Sequence, residues 1–274
     1  MSLTGGSDDI LVRARSVLLD ALTALEEHRD SVVVIGAQAI YLQTGSAAVA
    51  VAEATKDSHL SIDLRTLGDD PLIEEAMTRA GFHHDPQAGQ PGSWLSPGGI
   101  PVDLMVPDAL AGKGRRSVEA PPHDERALRR AVGLEAAVVD NAVMTVHALA
   151  TDDDRALEAR VAGPAALLVA KLHKLGERQA TPDRLQDKDA YDIYRLLVAT
   201  PTQALATAFA HLLVDNLARQ VTSDALDFLA QMFRHAEGVG SIMAGRAEEL
   251  VGDPAVVAAA SAALATDLLT AVGR

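Results

Sequence analysis

"SVVVIGAQAIYLQTG", residues 31–45, decides how the fold is read. Val32 to Ile35 are four β-branched residues in a row, the pattern of a strand buried on both faces. Gly36 follows at once and permits a tight turn that other residues resist. The next residues read as a short helix that stops near Gly45. Strand, glycine turn and helix in immediate succession imply layers of sheet and helix packed together.

Working outward, residues 10–28 repeat apolar side chains every three or four positions, as an amphipathic helix does. "ATKDSHLSIDL" (54–64) alternates and reads as the next strand, with Leu60, Ile62 and Leu64 turned to the core. "DDPLIEEAMTRAGF" is a helix with acids in its first turn and a stop at Gly81. "GSWLSPGG" and "IPVDLMVP" read as a hairpin around a Pro-Gly-Gly turn. Residues 135–149 add one or two strands, and "TDDDRALEA" (151–159) reads as an acidic connector. From Pro164 the pattern is helical nearly to the end, over about 164–178, 188–199, 202–218, 222–236 and beyond. The expected fold is α+β: a mixed-sheet domain over 1–160, flanked by helices, followed by a helical domain over 161–274.

Composition narrows the chemistry. The chain carries 24 Lys and Arg against 38 Asp and Glu, a net charge of −14, which disfavours a general polyanion binder. "GKGRR" (112–116) and "ERALRR" (125–130) are candidates for a local basic groove that touches a polyanion, although the ordinary role of such runs is a solvated face. Cysteine is absent, so disulfides, thiolate metal sites and cysteine nucleophiles are excluded. No basic flank with an apolar run marks the amino terminus, and no apolar run approaches the ~20 residues of a membrane span. The expected setting is soluble and cytoplasmic, with no membrane partner.

Alternation puts Asp57, His59, Ser61 and Asp63 on one face of the second strand. Neighbours two apart converge, whereas Asp57 and Asp63 lie ~20 Å apart along a strand and cannot share an ion. Asp57 and His59 are therefore the useful pair, and Asp63 reads as a surface or strand-end residue. Asp103, set between apolar residues in "PVDLMV", is costly unless it faces an open side or a cation. If its strand lies beside residues 57–63, Asp57, His59 and Asp103 form a site for a hard cation and a bound triphosphate.

"VIGAQAIYLQTG", the "TKD" and His59 some twenty residues on, and "VDLMV" together resemble the nucleotidyltransferase fold of DNA polymerase β-type and minimal nucleotidyltransferases. "GPAALLVAKLHKLGER" with "DRLQDKDAYDIYRLL" is similar to the helical part of AbiEii-like nucleotidyltransferases, many of them toxins of toxin–antitoxin pairs. The resemblance covers about residues 30–200. It implies an enzyme that moves a nucleoside monophosphate from an NTP to a hydroxyl on RNA, tRNA, a protein or a small molecule. It also implies a cognate antitoxin as partner. Asp57 and Asp103 would bind Mg²⁺, and Gly36 and Ala37 would cradle the triphosphate. Lys171, Arg184, Lys188, Asp189 and Asp192 occupy the places of the family's second motif. Asp189 would orient a lysine or take the acceptor's proton.

Residue chemistry runs parallel to that second motif. Lys171, Lys174 and Arg178 are three and seven apart and line one helix face, where they can hold phosphates or simply face solvent. Asp189 and Asp192 could instead pair along their own helix with Lys188 and Arg195.

One departure stands out. His59 replaces the family's second acid, and imidazole is a poor Mg²⁺ ligand. Weakened Mg²⁺ chemistry, a preference for Mn²⁺, and lost catalysis with nucleotide binding retained are all open. His83 and His84 lack a spaced partner and read as a surface pair, and Trp94 reads as a packing residue.

Overall fold

The computed structural model describes residues 5–45, 57–114, 118–179, 181–249 and 252–274. Residues 54–56 of the second-strand stretch, and Arg115 and Arg116 of the first basic run, fall outside them. The chain divides into two compact units, one of residues 1–42, 54–134 and 141–162, the other of 43–53, 135–140 and 163–274.

The first unit holds helix α1 (Gly5–Ala24), strand β1 (Val32–Ile35), helix α2 (Gly36–Thr44) as far as Leu42, β2 (Ser58–Ile62) and α3 (Ile73–Arg79). It continues through β3 (His83–His84), β4 (Ser93–Leu95), β5 (Pro101–Pro107), β6 (Arg129–Ala131), β7 (Asn141–His147) and β8 (Ala156–Ala162). Among the described residues these strands form one sheet in the order β3-β4-β5-β2-β1-β8-β7, with β6 also on β5. It is mixed: β1 runs antiparallel to β2 and parallel to β8, and β2 runs parallel to β5. The apolar run Val32–Ile35 is buried throughout because it lies mid-sheet.

Register sorts the side chains onto two faces. Leu60 pairs with Val34 and Ile62 with Val32, and all four are buried. Helix α1 packs on this side, where Ser58, which shares a face with Leu60, donates its hydroxyl hydrogen to the Ala14 carbonyl. The opposite side carries His59 and Ser61 from β2, Asp103 and Met105 from β5, and Ser93 from β4. An apolar face under a helix and a polar face opposite are what strict alternation dictates.

Three expectations change. The connector at 151–159 contains the start of β8, since Leu157, Ala159 and Val161 turn inward while Glu158 and Arg160 turn outward. The acids at 152–154 had masked that period of two. The basic run at 125–130 ends in β6 rather than on a solvated face, because buried Ala127 and Leu128 anchor it. His83 and His84 form β3; His83 is exposed, but the His84 ring lies 3.9 Å from that of Trp94. Trp94 is a packing residue as expected, buried with its indole N–H on the Ala127 carbonyl. Asp63 does end β2, yet it is enclosed and tied to the Arg65 guanidinium at 2.7 Å.

The second unit contains α4 (Pro164–Gly176), α5 (Asp187–Ala199), α6 (Thr202–Val214), α7 (Arg219–Phe233), α8 (Val239–Arg246) and α9 (Pro254–Ala271). Pro164 and Pro254 open their helices at positions whose N–H would have no partner in any case. Helix α9 is long and apolar enough to cross a bilayer by composition, unlike the expectation from runs of apolar residues. It packs on α5, α6, α7 and α8 through Val257, Ala258, Ala262, Ala265, Leu268 and Leu269.

Candidate functional site

Two polar groups answer to the expected site residues, one in each unit. In the first, β1 hands over directly to α2 at Gly36, and Ile35 stands opposite His59 across the β1–β2 ladder. Gly36 has φ +67°, and a Cβ there would lie 2.8 Å from His59 Nδ1. Glycine thus serves twice, by taking the left-handed conformation and by admitting the imidazole. Gly36→Ala should lower stability by about 1–3 kcal/mol from strain and displacement of His59, read as a fall in melting temperature. The first N–H groups of α2, from Gly36 and Ala37, carry the positive end of the helix dipole.

The β2–β5 register places His59 opposite Asp103, and Asp57 lies just before β2. His59 Nε2 is 3.2 Å from Asp57 Oδ2 and 3.5 Å from Asp103 Oδ2. The imidazole therefore lies between two carboxylates, one just before β2 and one on β5. Arg129 of β6 completes the group by donating from Nη2 to Asp103 Oδ2 at 2.6 Å. Asp57 is the more accessible carboxylate, with 40% of its side chain exposed against 15% for Asp103. Ser61, also on this face, has a buried hydroxyl with no hydrogen-bond partner among the described residues.

Among the described residues, no three His, Asp or Glu side chains stand as a ready-formed metal group. The trio is instead knit together by its own contacts and by Arg129. Its chemistry still suits an ion: donors at right angles on ~2.1 Å bonds lie ~3 Å apart, close to the two spacings at His59. Two carboxylates and one imidazole suit a cation that tolerates nitrogen, such as Mn²⁺, better than Mg²⁺.

The second group lies on α4 and α5. Lys171 Nζ donates to Asp189 Oδ1 at 2.7 Å and to Asp192 Oδ2 at 2.6 Å. Lys174 Nζ reaches Asp189 Oδ1 at 2.9 Å, and Arg178 Nη1 lies 3.7 Å from Asp189 Oδ2. The three cations expected on one face thus converge on a single enclosed carboxylate. Burial pushes Lys171 down, but Asp192 and Asp189 outweigh it and hold the ammonium above the ordinary lysine range. Burial likewise pushes Asp189 up, yet Lys171 and Lys174 bring it to about 2. Lys174 falls below its ordinary value through burial and the charge of Lys171.

Asp189 is consequently a weak base, and its geometry is that of a residue holding lysines. Asp189 and Asp192 reach across to α4 rather than along α5 to Lys188 and Arg195. Arg184 is exposed and receives Arg178 through its backbone carbonyl, and Lys188 is half-buried.

Sequence reasoning grouped Asp57, His59 and Asp103 and left Arg129 in a separate basic run. The available signal was buried Ala127 and Leu128 leading directly into two arginines, which a solvated charge run would lack. No family model, curated protein or solved structure matches the chain.

Proposed function

We propose that the protein transfers a nucleoside monophosphate from an NTP to a hydroxyl acceptor, using the polar face of the sheet in its first unit. The observation that carries this reading is the meeting of Asp57 and Asp103 at one imidazole, next to the glycine-started helix α2. The resemblance of these stretches to nucleotidyltransferases supports it. Asp57 and Asp103, with His59, would hold the divalent ion that accompanies the nucleotide. That ion would supply Lewis-acid stabilisation of phosphate charge.

The chain's own groups supply the rest. The N–H groups at the start of α2 favour the triphosphate, and Gly36 admits the imidazole that meets both carboxylates. Asp57, the more accessible carboxylate, meets the ligand first, while Arg129 holds Asp103 in place. In the transfer, the acceptor oxygen bonds to the α-phosphorus as the bond to the β-bridging oxygen breaks. Pyrophosphate leaves with that electron pair, and the acceptor's proton passes to a carboxylate of the cluster. An RNA or tRNA end, a protein hydroxyl or a small molecule can serve as acceptor, and activity on RNA would fit a toxin held in check by an antitoxin.

The test is label transfer from each α-labelled NTP, with total RNA and with Mg²⁺ or Mn²⁺, beside Asp57→Ala. Label should appear on RNA or protein, more with Mn²⁺, and drop at least a hundredfold in the variant. No transfer under any of these conditions sinks the reading.

A second reading is a nucleotide-binding protein whose transfer activity is attenuated. It is favoured by His59 at an acid's place and by the guanidinium on Asp103. Binding of NTP without transfer, with activity gained in His59→Asp, would decide for it.

A further inference from the structure

Arg129, which the sequence placed only in a local basic run, is set by the structure against Asp103. β6 pairs with β5 so that Arg129 stands opposite Met105, which shares a face with Asp103. The position is built. Gly92, at φ +71°, closes on β6 so tightly that a Cβ there would lie 2.5 Å from the Arg129 backbone nitrogen and 2.6 Å from the Leu104 carbonyl. Gly92 also donates to the Arg126 carbonyl and accepts from Leu104 N–H, both at 2.8 Å. From this seat Arg129 binds Asp103 through Nη2, while its Nε is buried and has no hydrogen-bond partner among the described residues. A guanidinium has five N–H donors, so it retains capacity for a second acceptor such as a phosphate oxygen.

Charge gives the arrangement its meaning. Two divalent ions ~4 Å apart repel strongly and need several anionic groups between them. This cluster has two carboxylates, an imidazole that adds no negative charge in either protonation state, and a guanidinium that offsets one carboxylate. Its net charge of −1 with a neutral imidazole, added to the charge of the nucleotide's phosphates, suits one divalent ion better than two. We infer that Arg129 takes the place of a second cation, tying down Asp103 and offering its free N–H groups to the nucleotide's phosphates. This rests on the nucleotidyltransferase reading of the same site, and makes it a one-ion site.

Binding tests it without requiring turnover. Wild type, Arg129→Met, Arg129→Lys and Asp57→Ala would be titrated with α,β-methylene analogues of the four NTPs over a range of Mn²⁺, with bound Mn²⁺ counted by electron paramagnetic resonance. Wild type and Arg129→Lys should bind one Mn²⁺ per nucleotide. Arg129→Met should bind the analogue at least tenfold more weakly at low Mn²⁺, recover at high Mn²⁺, and then hold two ions. Two ions in wild type would overturn the inference. So would an unaltered Arg129→Met, or a loss that neither Mn²⁺ nor Arg129→Lys repairs. If wild type bound neither analogue nor Mn²⁺, or bound them no better than Asp57→Ala, the parent reading would fall first and take the inference with it.

Discussion

Lys171→Met should destabilise the helical unit by about 3–5 kcal/mol, the cost of leaving a buried charge without its partner. Lys171 is 9% exposed, and its ammonium answers two carboxylates at once. Methionine matches the length of the side chain, so the loss arises from charge rather than from a cavity. Lys174 still reaches Asp189 in the variant, but Asp192, itself buried, loses the ammonium. Chemical denaturation should show the fall in midpoint. A change within about 0.5 kcal/mol would place the cluster among interactions of negligible net worth.

The same cluster sets an acid limit. Lys171 and Lys174 hold the Asp189 carboxyl down to about 2 in the folded chain, below its ordinary value of 3.8, so the unfolded chain binds the proton first. Its contribution is complete above the unfolded value and is lost as pH falls through about 2. Lys171 acts in the opposite sense: its folded value is raised, so its contribution holds below 10.5 and fades only in strong alkali. Melting temperature should therefore dip on the acid side in wild type, and dip less in Asp189→Asn, whose lower starting stability lacks that titration.

Asp103→Asn should reduce nucleotide transfer at least a hundredfold while leaving the sheet folded. The substitution keeps shape and removes the charge that both His59 and Arg129 approach. Arg129 then has no carboxylate in contact, and the site loses half its negative charge. Losses of this size follow when one preorganised electrostatic group is removed from a phosphoryl-type site. Transfer and nucleotide affinity should fall together, and thermal melts should separate this from unfolding. Unimpaired transfer by the variant would remove Asp103 from the chemistry.

Much of the fold could be read from local pattern. The apolar run at 32–35, the stop at Gly81 and the proline-started helices are signals within a few residues, and each gave its element. β8 and β6 escaped because acids or arginines flank them, and their strand character rests on partners far along the chain. The site was legible by type and not by arrangement. Alternation grouped Asp57 with His59, but only the parallel register of β2 on β5 sets His59 opposite Asp103. Lys171 and Asp189 were singled out, yet their mutual pairing depends on how α4 meets α5. Arg129 needed a three-residue strand that no propensity would nominate.

The central strand has a consequence for synthesis. β1 meets β2 soon after it is made, but its other neighbour is β8, a pairing that joins Val33 to Arg160. At ~5–20 residues per second, a ribosome would need about 6–25 s to travel between them. Through that interval the Val-Val-Val-Ile edge has no native strand to pair with, and nascent chains on neighbouring ribosomes offer it a substitute. Yield of this protein should thus depend on elongation rate and on holdase chaperones, and slow codons are best kept out of residues 36–160.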